Sequence, residues 1–253
     1  MFLSRKLGIV LPFLLVVFGC ASPPVTRVLS PVEQIAVDSK RASALSDEFR
    51  KKVRFVQVPR LERFLTRMGT RLALASKDFP LERVEVRIHY DSSPDLKRPF
   101  SFPGTLVSIP LGFLKKVDFE NELAALIAFE LGHVVNRHLS NRVASSGDAL
   151  SVKVALFGEG SVFDWDRNER ERSIKVGTEL LYDAGYDVRG MASMFQREAG
   201  FFGIPDTESG RKEVEFNVRE AQRARTGLLP SVKPVVRSSE FIQFKRELGR
   251  IQG

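Results

Sequence analysis

The sequence predicts an α+β fold made mainly of helices, with a small sheet. Apolar residues recur at three- and four-residue spacing along most of the chain, which is the pattern of helices that bury one face. Two short segments have the alternation or the apolar run of a strand. Hydrophobic residues make up 43% of the chain and charged residues 28%, which is ordinary for a globular protein with a packed core.

The N-terminus has the pattern of a bacterial signal peptide. Arg5 and Lys6 precede an apolar run at residues 7–18, which is shorter than the ~20 residues of a membrane-spanning helix. The run ends in Val17-Phe18-Gly19-Cys20, which resembles a lipobox, where the cysteine is diacylated and the chain is cut just before it. A chance cysteine at the end of an ordinary secretory signal is the alternative interpretation.

Cys20 is the only cysteine among 253 residues, so an intrachain disulfide is excluded. We expect a signal peptide at residues 1–19, a tether at 20–34 that is anchored to a membrane through the lipid on Cys20, and a single domain at 35–253. Ala21, rather than Asp, follows the cysteine, which by analogy with enteric bacteria favours the outer membrane, facing the periplasm.

The net charge of +8 arises largely in the tail, where residues 211–253 hold ten Lys or Arg and five Glu. A basic surface favours anionic lipid headgroups or an acidic partner, although a solvated charged face is the simpler interpretation. No nucleic-acid motif is present and the predicted location is outside the cytoplasm, so DNA and RNA are not expected as partners.

The first half of the domain is predicted to contain a helical region and two strands. Residues 31–75 have a helical pattern. In the strand predicted at residues 84–90, one buried face alternates with an exposed face that carries Glu85, Arg87 and His89. The second strand is predicted at residues 106–109.

The second half is predicted to be helical. Asp118 is the expected N-cap of the first of these helices, Gly185 ends one helix and Asp187 caps the next. Residues 145–163 are rich in Ser and Gly and are predicted to form a mobile loop. The predicted helices cover residues 119–138, 168–183, 187–200, 212–225 and 239–251.

Residues 121–138 carry the most informative motif. The stretch reads NELAALIAFELGHVVNRH and closely resembles the metal-binding helix of the HtpX-like family of membrane-associated zinc metallopeptidases. In that family the helix carries HExxH, in which two His four residues apart bind zinc and the Glu acts as general base on the zinc-bound water. Phe129 replaces the first His, whereas Glu130 and His133 match.

The resemblance extends over roughly residues 35–250. Residues 100–114 are similar to the family's edge-strand segment, and Ala184-Gly185-Tyr186-Asp187 matches its AGYDP motif, with Val188 in place of the Pro. Counting back from that motif puts Arg172-Ser173-Ile174 where the family has Glu-Ala-Asp, whose Glu is the third zinc ligand and whose Asp orients the first His. No histidine follows His138 to match one that the family has nearer its C-terminus.

The resemblance implies a zincin-like metallopeptidase fold around a remnant of the metal helix, and it implies the loss of zinc. A catalytic zinc needs three protein ligands, and only His133 remains. Phe129 has no lone pair to donate, Arg172 brings a positive charge toward a cation, and Ile174 is apolar and able to pack on Phe129. Arg172 is also placed to form an ion pair with Glu130.

Other residues are not expected to rescue the site. His133 and His138 would lie about 140° apart on one continuous helix, so they could not share an ion. A one-residue slip could turn Glu171 inward, which would give only two ligands. We therefore expect no zinc or other cofactor and no catalytic residue. The expected roles are a salt-bridged carboxylate for Glu130 and a neutral histidine packed beside Phe129 for His133.

Three functions are compatible with these features. The first is a lipid-anchored, non-catalytic relative that binds unfolded envelope proteins or regulates an active paralogue, with Leu106, Val107, Ser108 and Ile109 as the candidate edge strand for a client. The second is an active zinc metalloendopeptidase of periplasmic protein quality control, which needs the missing ligands. The third is a structural envelope lipoprotein without a client groove.

Overall fold

The computed structural model describes residues 31–75, 84–103, 106–145, 155–158, 160–197, 204 and 206–251. The predicted signal peptide, Cys20 and most of the predicted tether lie outside the described residues. The described residues form strands β1 (Glu85–His89), β2 (Phe100–Phe102) and β3 (Leu106–Pro110), and helices α1 (Pro31–Lys52), α2 (Pro59–Leu74), α3 (Leu111–Lys116), α4 (Glu120–Val135), α5 (His138–Ser145), α6 (Arg167–Asp183), α7 (Arg189–Arg197), α8 (Glu208–Arg225) and α9 (Ser239–Leu248). The prediction of a mainly helical α+β fold is confirmed.

The helix α4 is the centre of the fold. Every residue from Glu120 to Val134 is buried, and the helix packs against α6, α7, α2 and the sheet. A Cβ on Gly132 would lie 2.5 Å from the carbonyl oxygen of Ser173, so the missing side chain lets α6 approach closely. In the described part of the chain, no helix is both long enough and apolar enough to cross a membrane.

The predicted helix 119–138 is divided into two helices. The helix α4 ends at Val135, and Arg137 adopts a left-handed conformation with a φ of 57° before α5 begins at His138. The side-chain amide of Asn136 donates a 2.8 Å hydrogen bond to the carbonyl oxygen of Gly132 and so satisfies the last turn of α4. The prediction of one continuous helix as far as His138 is therefore wrong.

The N-terminus of α4 also differs from the prediction, because Asp118 is not its N-cap. Phe119 occupies the N-cap position. The carboxylate of Glu122 accepts hydrogen bonds from the backbone N–H groups of Asp118 and Phe119, each at 3.3 Å. A side chain of the first turn thus supplies the acceptor for the backbone donors that precede the helix.

The sheet has the strand order β1-β3-β2, with β3 parallel to β1 and antiparallel to β2. The predicted strand at residues 106–109 is confirmed, but its predicted place at the edge is wrong. Leu106, Val107, Ser108 and Ile109 are buried in the middle strand. Leu106, Val107 and Ser108 have partners on both neighbouring strands and Ile109 pairs with Ile88 of β1, so β3 is not an open edge for an added client strand. Among the described strands, β2 lies at that edge.

The helical pattern predicted over 31–75 forms two helices, because residues 53–58 run beside β1. The N–H of Val56 donates to the carbonyl oxygen of Ile88 at 2.8 Å, and the N–H of Tyr90 donates to that of Arg54 at 3.0 Å. His89, predicted on the exposed face of β1, is instead fully buried. Its ring satisfies both nitrogens inside the protein, and this compensates for its burial.

The predicted helices of the C-terminal half are confirmed as α6, α7, α8 and α9. Asp166 and Glu169 form a capping box at the start of α6. Gly185, with a φ of 77°, ends that helix, and the carboxylate of Asp187 accepts the N–H of Arg189 at the start of α7 at 2.9 Å. The apolar face of α9 is buried against α2, which closes the core.

Candidate functional site

One turn of α4 presents Phe129, Glu130 and His133 next to each other. Positions 129 and 133 are four residues apart and share a helix face. Their rings are nearly perpendicular, with centroids 4.7 Å apart. Phe129 is 2% exposed and also packs edge-to-face on Phe195, at 5.3 Å. The position that corresponds to the family's first zinc ligand therefore belongs to the aromatic core.

His133 and His138 are in direct contact, which the prediction of a continuous helix excluded. The break at Arg137 turns α5 back, and the Nδ1 atoms of the two imidazoles lie 2.9 Å apart. Arg172 donates to Nε2 of His138 from Nε and Nη2, each at 3.3 Å. Arg172 thus contacts His138 and not Glu130, so the predicted ion pair with Glu130 is wrong.

These contacts assign the hydrogens of both rings. A guanidinium only donates, so Nε2 of His138 accepts from Arg172, and Nδ1 of His138 carries the hydrogen and donates to Nδ1 of His133. Burial lowers the pKa of His138 to about 4 and that of His133 well below its ordinary value, so both rings are neutral at pH 7. His133 then carries its hydrogen on Nε2, which has no partner among the residues described.

Trp165 covers another side of His133. The two rings are stacked, with centroids 4.4 Å apart and an interplanar angle of 21°. Of the loop predicted at 145–163, residues 146–154 and 159 lie outside the described part of the chain. The described part is packed: Phe163 contacts Phe100 at 5.1 Å between centroids, which holds the neighbouring Trp165 against the site.

Glu130 is buried beside these rings, at 2% exposure. Its Oε2 atom has no hydrogen-bond partner within the described ranges. Burial raises the pKa of Glu130 to about 7, against the opposing influence of the Ser101 hydroxyl and the Arg98 guanidinium. The predicted salt bridge is absent from the described contacts, and the carboxyl group instead exchanges its proton near neutral pH.

The three-residue stretch at Arg172-Ser173-Ile174 divides between surface and core. Ile174 is fully buried in the same core cluster as Phe129, whereas Arg172 reaches His138 from the surface. Glu171 is exposed, so the slip that would turn its carboxylate inward does not occur. Glu169 is buried but forms an ion pair with Arg142.

These residues do not fit a catalytic zinc ion. Across the ranges that the structure describes, no group of three or more His, Cys, Asp or Glu side chains could hold a metal. The Nδ1 atoms of His133 and His138 form a hydrogen bond with each other. The Nε2 atom of His133 is then the one nitrogen of the two rings without a hydrogen-bond partner in the described ranges, and a catalytic zinc needs three protein ligands. A three-ligand site with an open fourth position is therefore not formed.

A pocket of about 270 Å³ lies beside the ring cluster, between α4, the segment around Trp165, α7 and α8. Sequence reasoning missed it, since its walls come from five separate segments. One signal was available: Trp165 is the single tryptophan of the chain and stands just after the Ser- and Gly-rich stretch. Its lining includes the aromatic rings of Phe129, Phe163, Trp165 and Phe195 and the polar side chains of Arg98, Glu130, Asp164, Arg170, Glu213 and Asn217.

The central helix, the small sheet and the remnant motif together define a metallopeptidase-like domain of the zincin type. Residues 59–198, more than half of the chain, match the model of peptidase family M48. The chain belongs to peptidase family M48. A search of curated proteins found no match to the chain.

Proposed function

We propose that this protein is a non-catalytic, HtpX-like member of family M48 that acts by binding. It is anchored through a lipid on Cys20 to the bacterial cell envelope, at the outer membrane and facing the periplasm. There it holds unfolded envelope proteins or regulates an active paralogue. The proposal has two supports, the surroundings of His133 and the lipobox, which are independent of each other.

The surroundings of His133 carry the proposal of inactivity. The imidazole is enclosed by Phe129 at 4.7 Å, Trp165 at 4.4 Å and His138 at 5.0 Å between ring centroids. Its Nδ1 is used by His138, and the position of the family's first ligand is filled by a phenyl ring. A water molecule at this site has no metal to lower its pKa, so Glu130 has no activated nucleophile to deprotonate.

The metal content of the purified domain tests inactivity. We expect the mature protein, prepared without chelator and supplied with zinc, to hold well under one zinc per chain and to show no chelator-sensitive proteolysis. The Glu130→Gln variant should behave like the wild type in both assays. Near-stoichiometric zinc with proteolysis that Glu130→Gln abolishes would establish the alternative function, an active zinc metalloendopeptidase.

The lipid anchor supports the location and is tested separately. Metabolic labelling with a fatty acid should mark the full-length chain, and Cys20→Ala should remove the label and release the protein from membranes. A labelled Cys20→Ala variant would contradict the lipobox assignment. Sucrose-gradient fractionation then distinguishes the outer from the inner membrane.

Detection of bound client proteins distinguishes the proposed binding role from that of a structural lipoprotein without a client groove. Chemical cross-linking in intact cells, followed by purification of the protein, should recover envelope proteins or an M48 paralogue. The matched control is the same signal peptide, lipidated cysteine and tether joined to an unrelated folded domain. If both proteins recover the same partners, the metallopeptidase-like domain has no binding role of its own.

A further inference from the structure

Asn217 carries a buried side-chain amide with no hydrogen-bond partner among the residues that the structure describes. Its side chain is fully buried at the pocket beside Trp165, and neither Oδ1 nor Nδ2 has a hydrogen-bond partner among the described residues. Buried amides are nearly always hydrogen-bonded, because an unpaired polar group loses its water without compensation. Nδ2 of Asn217 is a donor and Oδ1 is an acceptor. A ligand group that carries an acceptor next to a donor can form a hydrogen bond with each of them.

The permanent charges of the pocket lining neutralise each other, and the remaining ionisable group of the lining, Glu130, has a pKa that burial raises to about 7. Arg98 pairs with Asp164 at 2.7 Å, and Arg170 pairs with Glu213 at 2.6 Å. These four charges sum to zero. The Nε atoms of both arginines are nevertheless buried without a hydrogen-bond acceptor in the described part of the chain. When Glu130 is protonated, such a lining offers hydrogen bonds to a polar ligand but no net charge to select an anion or a cation.

The remaining wall is aromatic. Phe129, Phe163, Trp165 and Phe195 line the same space of about 270 Å³. Ligand pockets usually combine apolar and aromatic walls with a few placed polar groups, and this volume lies just below the roughly 300–1,000 Å³ of pockets that hold drug-sized molecules. A single ring with one attached polar group suits both the volume and the walls.

We propose that this pocket binds an uncharged ligand that carries a carboxamide next to an aromatic ring or an apolar group of similar size. The carboxamide pairs with Asn217, and the ring lies against Trp165. The helix α8, which supplies Asn217, is outside residues 59–198 that match the family, whereas the aromatic wall lies inside them. The inference goes beyond the proposed function and does not depend on client binding.

Three probes of nearly the same shape test the chemistry. Benzamide is uncharged, benzoate is an anion and benzamidine is a cation at pH 7. The fluorescence of Trp165, the single tryptophan, reports occupancy of the pocket directly. In titrations of the mature wild-type domain at pH 6, where Glu130 is mostly protonated, benzamide should change this fluorescence saturably, with an affinity at least tenfold above that of either charged probe. Equal or tighter binding of benzoate or benzamidine, or no response to benzamide, overturns the proposal.

A matched pair of variants tests the role of Asn217. Asn217→Leu removes the amide but keeps the number and branching of the side-chain heavy atoms, and Gln222→Leu removes an exposed amide from the same helix. Asn217→Leu should weaken benzamide at least tenfold and unfold at the same or a higher temperature, because an unpaired buried amide has been removed. Gln222→Leu should bind as the wild type does. Unchanged affinity in Asn217→Leu overturns the proposal, and the wild-type probe comparison decides the matter if that variant does not fold.

The natural carboxamide is either a free small molecule or part of a polypeptide. N-acetyl-L-phenylalaninamide carries the same ring and amide on a peptide backbone. Tighter binding of this probe than of benzamide assigns the pocket to a polypeptide segment. Tighter binding of benzamide assigns it to a free small amide. Failure of this site would leave the zinc and cross-linking experiments of the proposed function unaffected, since they measure other properties.

Discussion

The indole of Trp165 lies nearly parallel to the imidazole of His133, with ring centroids 4.4 Å apart. Phe129 meets the same imidazole at a right angle, and His138 binds its Nδ1. The remnant of a metal ligand has thus become a packed ring with fixed neighbours. This arrangement explains why one substitution is not expected to restore a metal site.

Phe129→His restores the HExxH motif, yet we expect it to bind no more zinc than the wild type. The new imidazole would still lack the third ligand, because Arg172 occupies that position and contacts His138. The new ring would also be buried without an assured hydrogen-bond partner, which costs about 1–3 kcal/mol of unfolding free energy. Metal analysis and urea unfolding measure the two effects.

The matched comparison is the triple variant Phe129→His, Arg172→Glu, Ile174→Asp, which restores both missing zinc ligands and the Asp that orients the first His. It should bind more zinc than Phe129→His alone. If the single change is sufficient for stoichiometric zinc, another side chain supplies the missing ligand and the assignment of His133 as a packed residue fails.

Glu130→Gln should stabilise the protein at pH 8 and change it little at pH 4. The pKa of Glu130 is raised to about 7 from an ordinary 4.5, mainly by burial. The unfolded chain therefore releases this proton at lower pH than the folded chain does. Glu130 does not lower the unfolding free energy below pH 4.5, and its destabilising contribution grows as pH rises from 4.5 through 7. The loss at pH 8 is at most about 3 kcal/mol, and Gln avoids it.

The control for that substitution is Glu122→Gln on the same helix. Glu122 is also buried, but it pairs with Arg197 at 3.1 Å and accepts two backbone hydrogen bonds at the start of α4. Its loss should destabilise the protein at pH 8. Equal destabilisation by both substitutions in urea unfolding would show that Glu130 is a paired, structural carboxylate.

Periodicity was sufficient to predict most helices, because each buries a long apolar face that is readable along the chain. The break at Arg137 was not predictable, since it depends on one left-handed residue inside a pattern that remains helical. The central position of β3 was missed for a different reason: alternation shows that a strand is buried but not which strands flank it. The contacts of Trp165 and Asn217 depend on packing between distant segments, which no local pattern records.

His89 should make the protein less stable in acid. Its neutral ring pairs with the Ser108 hydroxyl at Nδ1 and with the Leu96 carbonyl at Nε2, and burial lowers its pKa to about 4 from 6.5. The unfolded chain therefore takes up this proton at higher pH than the folded chain. The contribution of His89 is unchanged above pH 6.5 and becomes unfavourable as pH falls from 6.5 to 4, by about 3 kcal/mol in total.

The variant His89→Gln keeps a donor and an acceptor but does not titrate. Unfolding free energies at pH 7 and pH 4 should therefore differ by about 3 kcal/mol less in the variant than in the wild type. The other two histidines remain in both proteins and cancel in this comparison. Parallel pH profiles would mean that the ring of His89 is protonated or exposed in the folded protein.

Gly132→Ala should separate α4 from α6. A Cβ at this position would lie 2.5 Å from the carbonyl oxygen and 2.9 Å from the Cα of Ser173, and neither backbone atom can move without shifting its helix. Overpacking of this kind costs about 1–3 kcal/mol, measured by urea unfolding. Gly227→Ala is the matched control, because a Cβ there meets no atom of the described chain within 4 Å, and its effect should stay within about 0.5 kcal/mol. The same helix contact carries Arg172 to His138, so an unchanged Gly132→Ala variant would contradict the placement of both residues at the site.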